Sequence, residues 1–142
     1  ANFVDSELMG KDMRSYSVEE LQKVLTDFNI KWVIARKAST KGALNSFSDI
    51  VLQEKLIGEY AIYKVSIPTG GFSINGAAQV IAQKNELHVT NSSQQETILK
   101  YHYLETLTTK EGFTVEPYDT GYPMPFIKVK NKGQDFTIIN NY

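Results

Sequence analysis

A chain of 142 residues is long enough for one domain or two small ones, and long enough to bury a core without covalent staples. Its 22% charged and 42% hydrophobic residues exclude a wholly disordered chain, and the absence of cysteine excludes a disulfide framework, a thiolate metal site and a Cys nucleophile. The net charge of −1 is evenly spread, with nine basic and nine acidic residues up to position 70 and six against seven beyond it, so no nucleic-acid footprint is expected.

The first element in the chain is a helix over 17–28. Ser17 and Glu20 fit a capping box, in which the hydroxyl accepts a backbone N–H and the carboxylate reaches back. Val18, Leu21, Val24, Leu25 and Phe28 recur at spacings of three and four, which makes one apolar stripe. Asn29 ends the helix, because Asn tolerates the left-handed conformation common after a last turn. A short buried strand follows at 30–36, rich in β-branched and aromatic residues. Ser39 and Thr40 can cap a second short helix running through Leu44 and Phe47, weakened by Gly42. Strands at 50–56 and 60–66 flank Gly58-Glu59, a hairpin signal.

Residues 68–76 hold a proline and three of the nine glycines, the mark of a loop or linker. Beyond it the pattern alternates with period two. Leu87 and Val89 share a face, as do Val80 and Ala82. Leu99, Tyr101 and Tyr103 lie opposite Lys100 and His102. Ile127 and Val129 alternate with Lys128 and Lys130, and Phe136 and Ile138 flank Thr137. Such alternation points to antiparallel sheets packed on one side. The expected fold is therefore α+β. A small αβ lobe over 1–67 precedes a linker and an antiparallel β-sandwich, jelly-roll-like, over 77–142.

Chemistry-bearing groups are sparse. His88 and His102 sit on polar strand faces without metal-ligand spacing, and no metal or cofactor is expected. Glu19 and Glu20 suit the positive end of a helix rather than catalysis. The pairs Glu105/Glu111 and Glu116/Asp119 are the remaining candidates for two-carboxylate hydrolysis, with 116–119 read as a turn. Thr40-Lys41-Gly42 and 68–71 do not match a phosphate-binding loop, and no Gly-x-Ser-x-Gly elbow occurs. Of sixteen aromatic residues, eight follow position 100. Tyr101, Tyr103 and Phe136 share register with Leu99 and Ile138 and are expected in the core. Tyr118, Tyr122 and Phe126, in or beside the Pro/Gly-rich stretch 117–125, are the surface-binding candidates, together with Glu116 and Asp119. Aromatic faces can stack sugar rings while their hydroxyls supply hydrogen bonds. Asn91-Ser92-Ser93 is a glycosylation triplet and marks an exposed turn.

No run approaches the roughly 20 apolar residues of a membrane-spanning helix, and the first residues carry no signal-peptide pattern. A start at Ala1 is read as processing or excision from a longer protein.

Two groups of segments resemble a known family. Residues 18–34, ending Asn29-Ile30-Lys31-Trp32-Val33-Ile34, are followed by Ile57-Gly58-Glu59-Tyr60-Ala61-Ile62-Tyr63-Lys64-Val65. Ile98-Leu99-Lys100-Tyr101-His102-Tyr103-Leu104 then leads to 126–129 and 136–142. Together these resemble polytopic bacterial and archaeal membrane proteins that are glycosyltransferase-like. They are of the dolichyl-phosphate-mannose mannosyltransferase type and are also described as pyruvoyl-tetrahydropterin-synthase-related. The family's aromatic turn with proline and tryptophan is replaced here by residues 103–107, which have neither. The resemblance implies a soluble extracytoplasmic domain that lacks the transferase's catalytic acids and is accessory to it. Implied partners are a glycan or lipid-linked sugar and the transmembrane helices of the parent protein. The alternatives are a free-standing secreted carbohydrate-binding or adhesion module, and a small soluble hydrolase using Glu116 or Asp119.

Overall fold

The computed structural model describes residues 7–90 and 92–141, and the chain divides into two compact units, 1–69 and 70–142. Sheets dominate both, all pairing is antiparallel, and two helices belong to the first unit, an α+β arrangement.

The first unit begins with a hairpin of β1 (Glu7–Leu8) and β2 (Lys11–Asp12) and a 3-10 turn, Met13–Ser15. Helix α1 (Val18–Asp27) starts where the capping signal places it, for Ser17 Oγ accepts the Glu20 N–H at 3.1 Å. The second half of the box is not made, because the Glu20 carboxylate pairs with Lys11 instead. Leu21, Val24 and Leu25 are buried, whereas Val18 leaves the stripe and is exposed. Asn29 adopts φ +50°, the left-handed residue expected after the helix, and its Oδ1 accepts a 2.7 Å hydrogen bond from Thr69.

Helix α2 (Ala38–Asn45) starts one residue before the expected caps. Lys37 occupies the cap position and makes no side-chain capping hydrogen bond, and Thr40 is buried within the helix, so Ser39 and Thr40 do not occupy the cap position. Strands β3 (Trp32–Ala35), β4 (Val51–Ile57) and β5 (Tyr60–Val65) form a sheet in the order β3-β5-β4. Gly58, at φ +58°, makes the two-residue hairpin between β4 and β5. Val33, Ala35, Val51, Ala61, Tyr63 and Val65 turn one face inward. The segment expected to be buried throughout, 30–36, is buried only at alternate positions, since Trp32 and Ile34 lie on the other face and are half exposed. The reason is local: helical elements cover only one side of this sheet within the unit, so a strand with apolar residues on both faces buries just one set.

The second unit carries two sheets. One has the order β10-β11-β8, from Val115–Tyr118, Phe126–Val129 and Thr97–His102. The other has the order β6-β7-β12-β9, from Gln79–Gln83, Glu86–Thr90, Phe136–Asn140 and Leu107–Thr109. Leu99, Ile127 and Val129 from the first meet Val89, Phe136 and Ile138 from the second in one apolar cluster, with Tyr101 and Tyr103 packed partly buried against it. Residues 72–74 belong to this unit, where the Ile74 N–H bonds to the Ile98 carbonyl and the Lys100 N–H to the Phe72 carbonyl. Behind the cluster, Asn131 is fully buried and ties three segments together. Its Oδ1 accepts from Thr97 Oγ1 at 2.9 Å, and its Nδ2 donates to the carbonyls of Ser92 (3.2 Å) and Gln134 (2.9 Å). In the glycosylation triplet, Asn91 lies outside the described residues, while Ser92 is buried and donates to the Gln134 carbonyl, so its side chain is not in an exposed turn.

Candidate functional site

The sequence candidates 116–126 converge on one end of the β10-β11-β8 sheet. Glu116-Pro117-Tyr118 is strand, not turn. β10 is an edge strand, and an edge tolerates Pro117 because one side of the ladder needs no donor. Pairing sets Glu116 opposite Lys128 and Tyr118 opposite Phe126, and Phe126 is in turn opposite His102. Tyr118, Phe126 and His102 thus form one cross-strand row.

Glu116 is held in an ion-pair ladder. Its Oε1 lies 3.1 Å from Lys128 Nζ and 3.7 Å from Lys130 Nζ, and Lys128 also reaches Glu96 at 3.5 Å. The hydrogen bond from Lys128 keeps the Glu116 carboxyl below its ordinary range, and the same contact raises Lys128. A general acid needs the opposite displacement.

The loop 119–125 is ordered by its own side chains. Asp119 Oδ1 accepts the Gly121 N–H at 2.8 Å, with Gly121 at φ +76°. Thr120 Oγ1 accepts the Tyr122 N–H at 3.1 Å and donates to the Met124 carbonyl at 3.0 Å. The Tyr103 N–H anchors the loop's end through the Pro125 carbonyl at 3.0 Å. Tyr118 and Tyr122 remain partly exposed and Asp119 is exposed. Phe126 is 0% exposed and so, although it stands in that row, offers no ring face to a ligand.

The other titratable candidates are spread apart in structural roles. Glu111 Oε2 accepts the Thr137 N–H at 3.0 Å. His88 lies 3.0 Å from Glu86 and 3.3 Å from Thr137 Oγ1, and the Glu86 carboxyl is lowered chiefly by its hydrogen bond from Lys110. Among the described residues no group of three His, Cys, Asp or Glu side chains could hold a metal ion, and no helix is long and apolar enough to cross a membrane. In the first unit a cavity of about 310 Å³ has an entirely apolar lining that includes Leu8, Met13, Leu21, Leu25, Trp32 and Ile34. Among the described residues no acid or base lines it.

His102 is the residue that sequence patterning placed on a polar face without associating it with the tyrosines. The association depends on a register shift in β11–β8 pairing, between Phe126 and Ile127, that no local pattern announces. Comparison of the chain with protein-family models, with curated proteins and with solved structures finds no match.

Proposed function

We propose that the chain is a non-catalytic accessory module of a multispanning, glycosyltransferase-like membrane protein, placed on the extracytoplasmic face and binding glycan or acceptor through its second unit. The two sheets of that unit, sharing one apolar cluster, are read as a sandwich of jelly-roll-like type. The parent protein is inferred from the resemblance carried by residues 18–34, 57–65 and 98–104.

The observation that carries the binding reading is the ordered loop 119–125, which bears Tyr122 and follows directly on Tyr118, itself in one cross-strand row with Phe126 and His102. Tyrosine faces stack on the C–H faces of sugar rings, and hydroxyl, imidazole and carboxylate groups bond the ring hydroxyls. A loop fixed before binding loses little conformational entropy on binding. The hydrolase alternative needs a carboxylic acid held protonated, and Glu116, paired with lysines and held below its ordinary range, does not supply that acid.

Glycan-array screening followed by calorimetry tests the reading. Tyr118→Ala with Tyr122→Ala abolishes the heat of binding while the strand signal in circular dichroism is kept. Absence of any glycan ligand, or binding that survives both substitutions, overturns it.

A further inference from the structure

The open face of the first unit's sheet has a composition that its position in the fold does not require. Cross-strand partners share a face. Register therefore sets Trp32, Lys64 and Leu52 in one row and Ile34, Ile62 and Lys55 in the next. Tyr60 and Ile57 close the face at the hairpin. Trp32 is 50% exposed, Ile34 51%, Leu52 52%, Ile57 52% and Tyr60 46%. Six apolar or aromatic side chains thus stand together where an antiparallel sheet with one solvated face ordinarily carries polar residues.

The charges that register places on this face have one sign. Lys55 and Lys64 lie among the apolar side chains, with Lys64 Nζ 5.9 Å from the Trp32 ring centroid. Neither nearby carboxylate is placed on this face by register. Glu54 occupies the irregular step between Gln53 and Lys55, and Glu59 in the hairpin turn accepts from Arg36 Nε at 2.8 Å. Trp32 and Ile34 also border the 310 Å³ apolar cavity, so the apolar surface continues into the unit.

We infer that this face docks on an anionic phospholipid surface. The mixture of Trp, Tyr, branched aliphatic residues and lysine is that of the interfacial layer of a bilayer. There aromatic rings sit at headgroup depth, apolar groups enter the acyl boundary, and lysines extend to anionic headgroups. A second copy of the chain fits less well, because stacking two such faces sets the lysines that register places there against each other. The inference stands on the first unit and goes beyond the glycan reading.

The full chain carries its own probe, since Trp32 is its one tryptophan. Vesicles of phosphatidylglycerol with phosphatidylcholine are compared with phosphatidylcholine alone. The expected result is a blue shift of Trp32 emission and co-sedimentation with the anionic vesicles, both reversed by high salt. Leu52→Glu with Ile57→Glu removes binding. Both positions are exposed, and circular dichroism verifies that the fold is kept. Lys55→Gln with Lys64→Gln leaves the apolar face intact and lowers partitioning about 30-fold, from the typical contribution of two surface lysines. Tyr118→Ala with Tyr122→Ala leaves vesicle binding unchanged, which separates this result from that of the glycan test. Unchanged Trp32 emission with anionic vesicles overturns the inference, as does binding that survives the two glutamates. A lipid-independent blue shift accompanied by a dimer in sedimentation equilibrium overturns it in favour of a second copy.

Discussion

The two units differ in how many of their apolar strand residues they cover, although Ile81 of β6 in the second unit is also half exposed. In the second unit, both sheets contribute to one cluster, and outward positions such as Glu116, Lys128 and Glu86 engage in ion pairs. In the first, a three-stranded sheet is covered by helical elements on one side, and its other side keeps Trp32, Ile34, Leu52 and Ile57 half exposed. Both units are built from similar strands, so strand composition alone does not decide burial. What decides it is how many layers the chain supplies. Exposed apolar area is a cost in water.

The contrast breaks most severely at Leu99, which is 0% exposed between the two sheets of the second unit. Leu99→Ala should cost about 2–5 kcal/mol in chemical denaturation, through lost transfer energy and the cavity left behind. Next comes Asn131→Ala, which strands the Thr97 hydroxyl and the Ser92 carbonyl, the Gln134 carbonyl keeping the Ser92 hydroxyl, in a unit whose described buried polar side chains all have partners. A loss of about 2–3 kcal/mol is expected, read by the same denaturation. In the first unit, Ser17→Ala removes the helix cap and should cost about 1 kcal/mol.

Leu52→Ala sharpens the comparison from the other side. It deletes as many carbons as Leu99→Ala, yet the side chain is on the open face, so the change should stay within about 0.5 kcal/mol. The smallest effect is pH-dependent. The Arg14 guanidinium bonded to Asp12 holds that carboxyl at about 2 rather than 3.8. Between those values the unfolded chain binds more protons than the folded one. The contribution is therefore present above pH 3.8 and is lost as pH falls toward 2. Asp12 is solvent-exposed, so the effect is slight. An NMR titration should place its carboxyl near 2, and Asp12→Asn should flatten the acid limb of stability across that window.

Much of the local structure is legible in the chain. Ser17, the 3.6-residue stripe and Asn29 delimit α1, because capping and backbone preferences act over a few residues. Gly58-Glu59 sets the hairpin for the same reason. Period-two alternation identifies β7, β8, β11 and β12. The short strands β1, β2, β9 and β10 are not legible. Their few residues carry too little periodicity, and the proline in β10 imitates a turn signal. Of the candidate site, Tyr118, Tyr122 and Asp119 are recognisable from their loop composition. Phe126 is not separable from them in sequence, since an aromatic beside a loop reads alike whether it faces solvent or the interior.

By itself, then, the amino-acid sequence determined what neighbouring residues decide among themselves: the limits of α1, the β4–β5 turn, the faces of the longer strands, and the lack of thiol chemistry. The tertiary structure alone decided what pairing and layering decide. It set Glu116 against Lys128, brought His102 into the row of Tyr118, buried Asn131 where it joins three segments, and left the Trp32 face of β3 uncovered. The physical reason is range. Capping, turns and periodicity are settled within a few residues, whereas register and burial depend on partners tens of residues away.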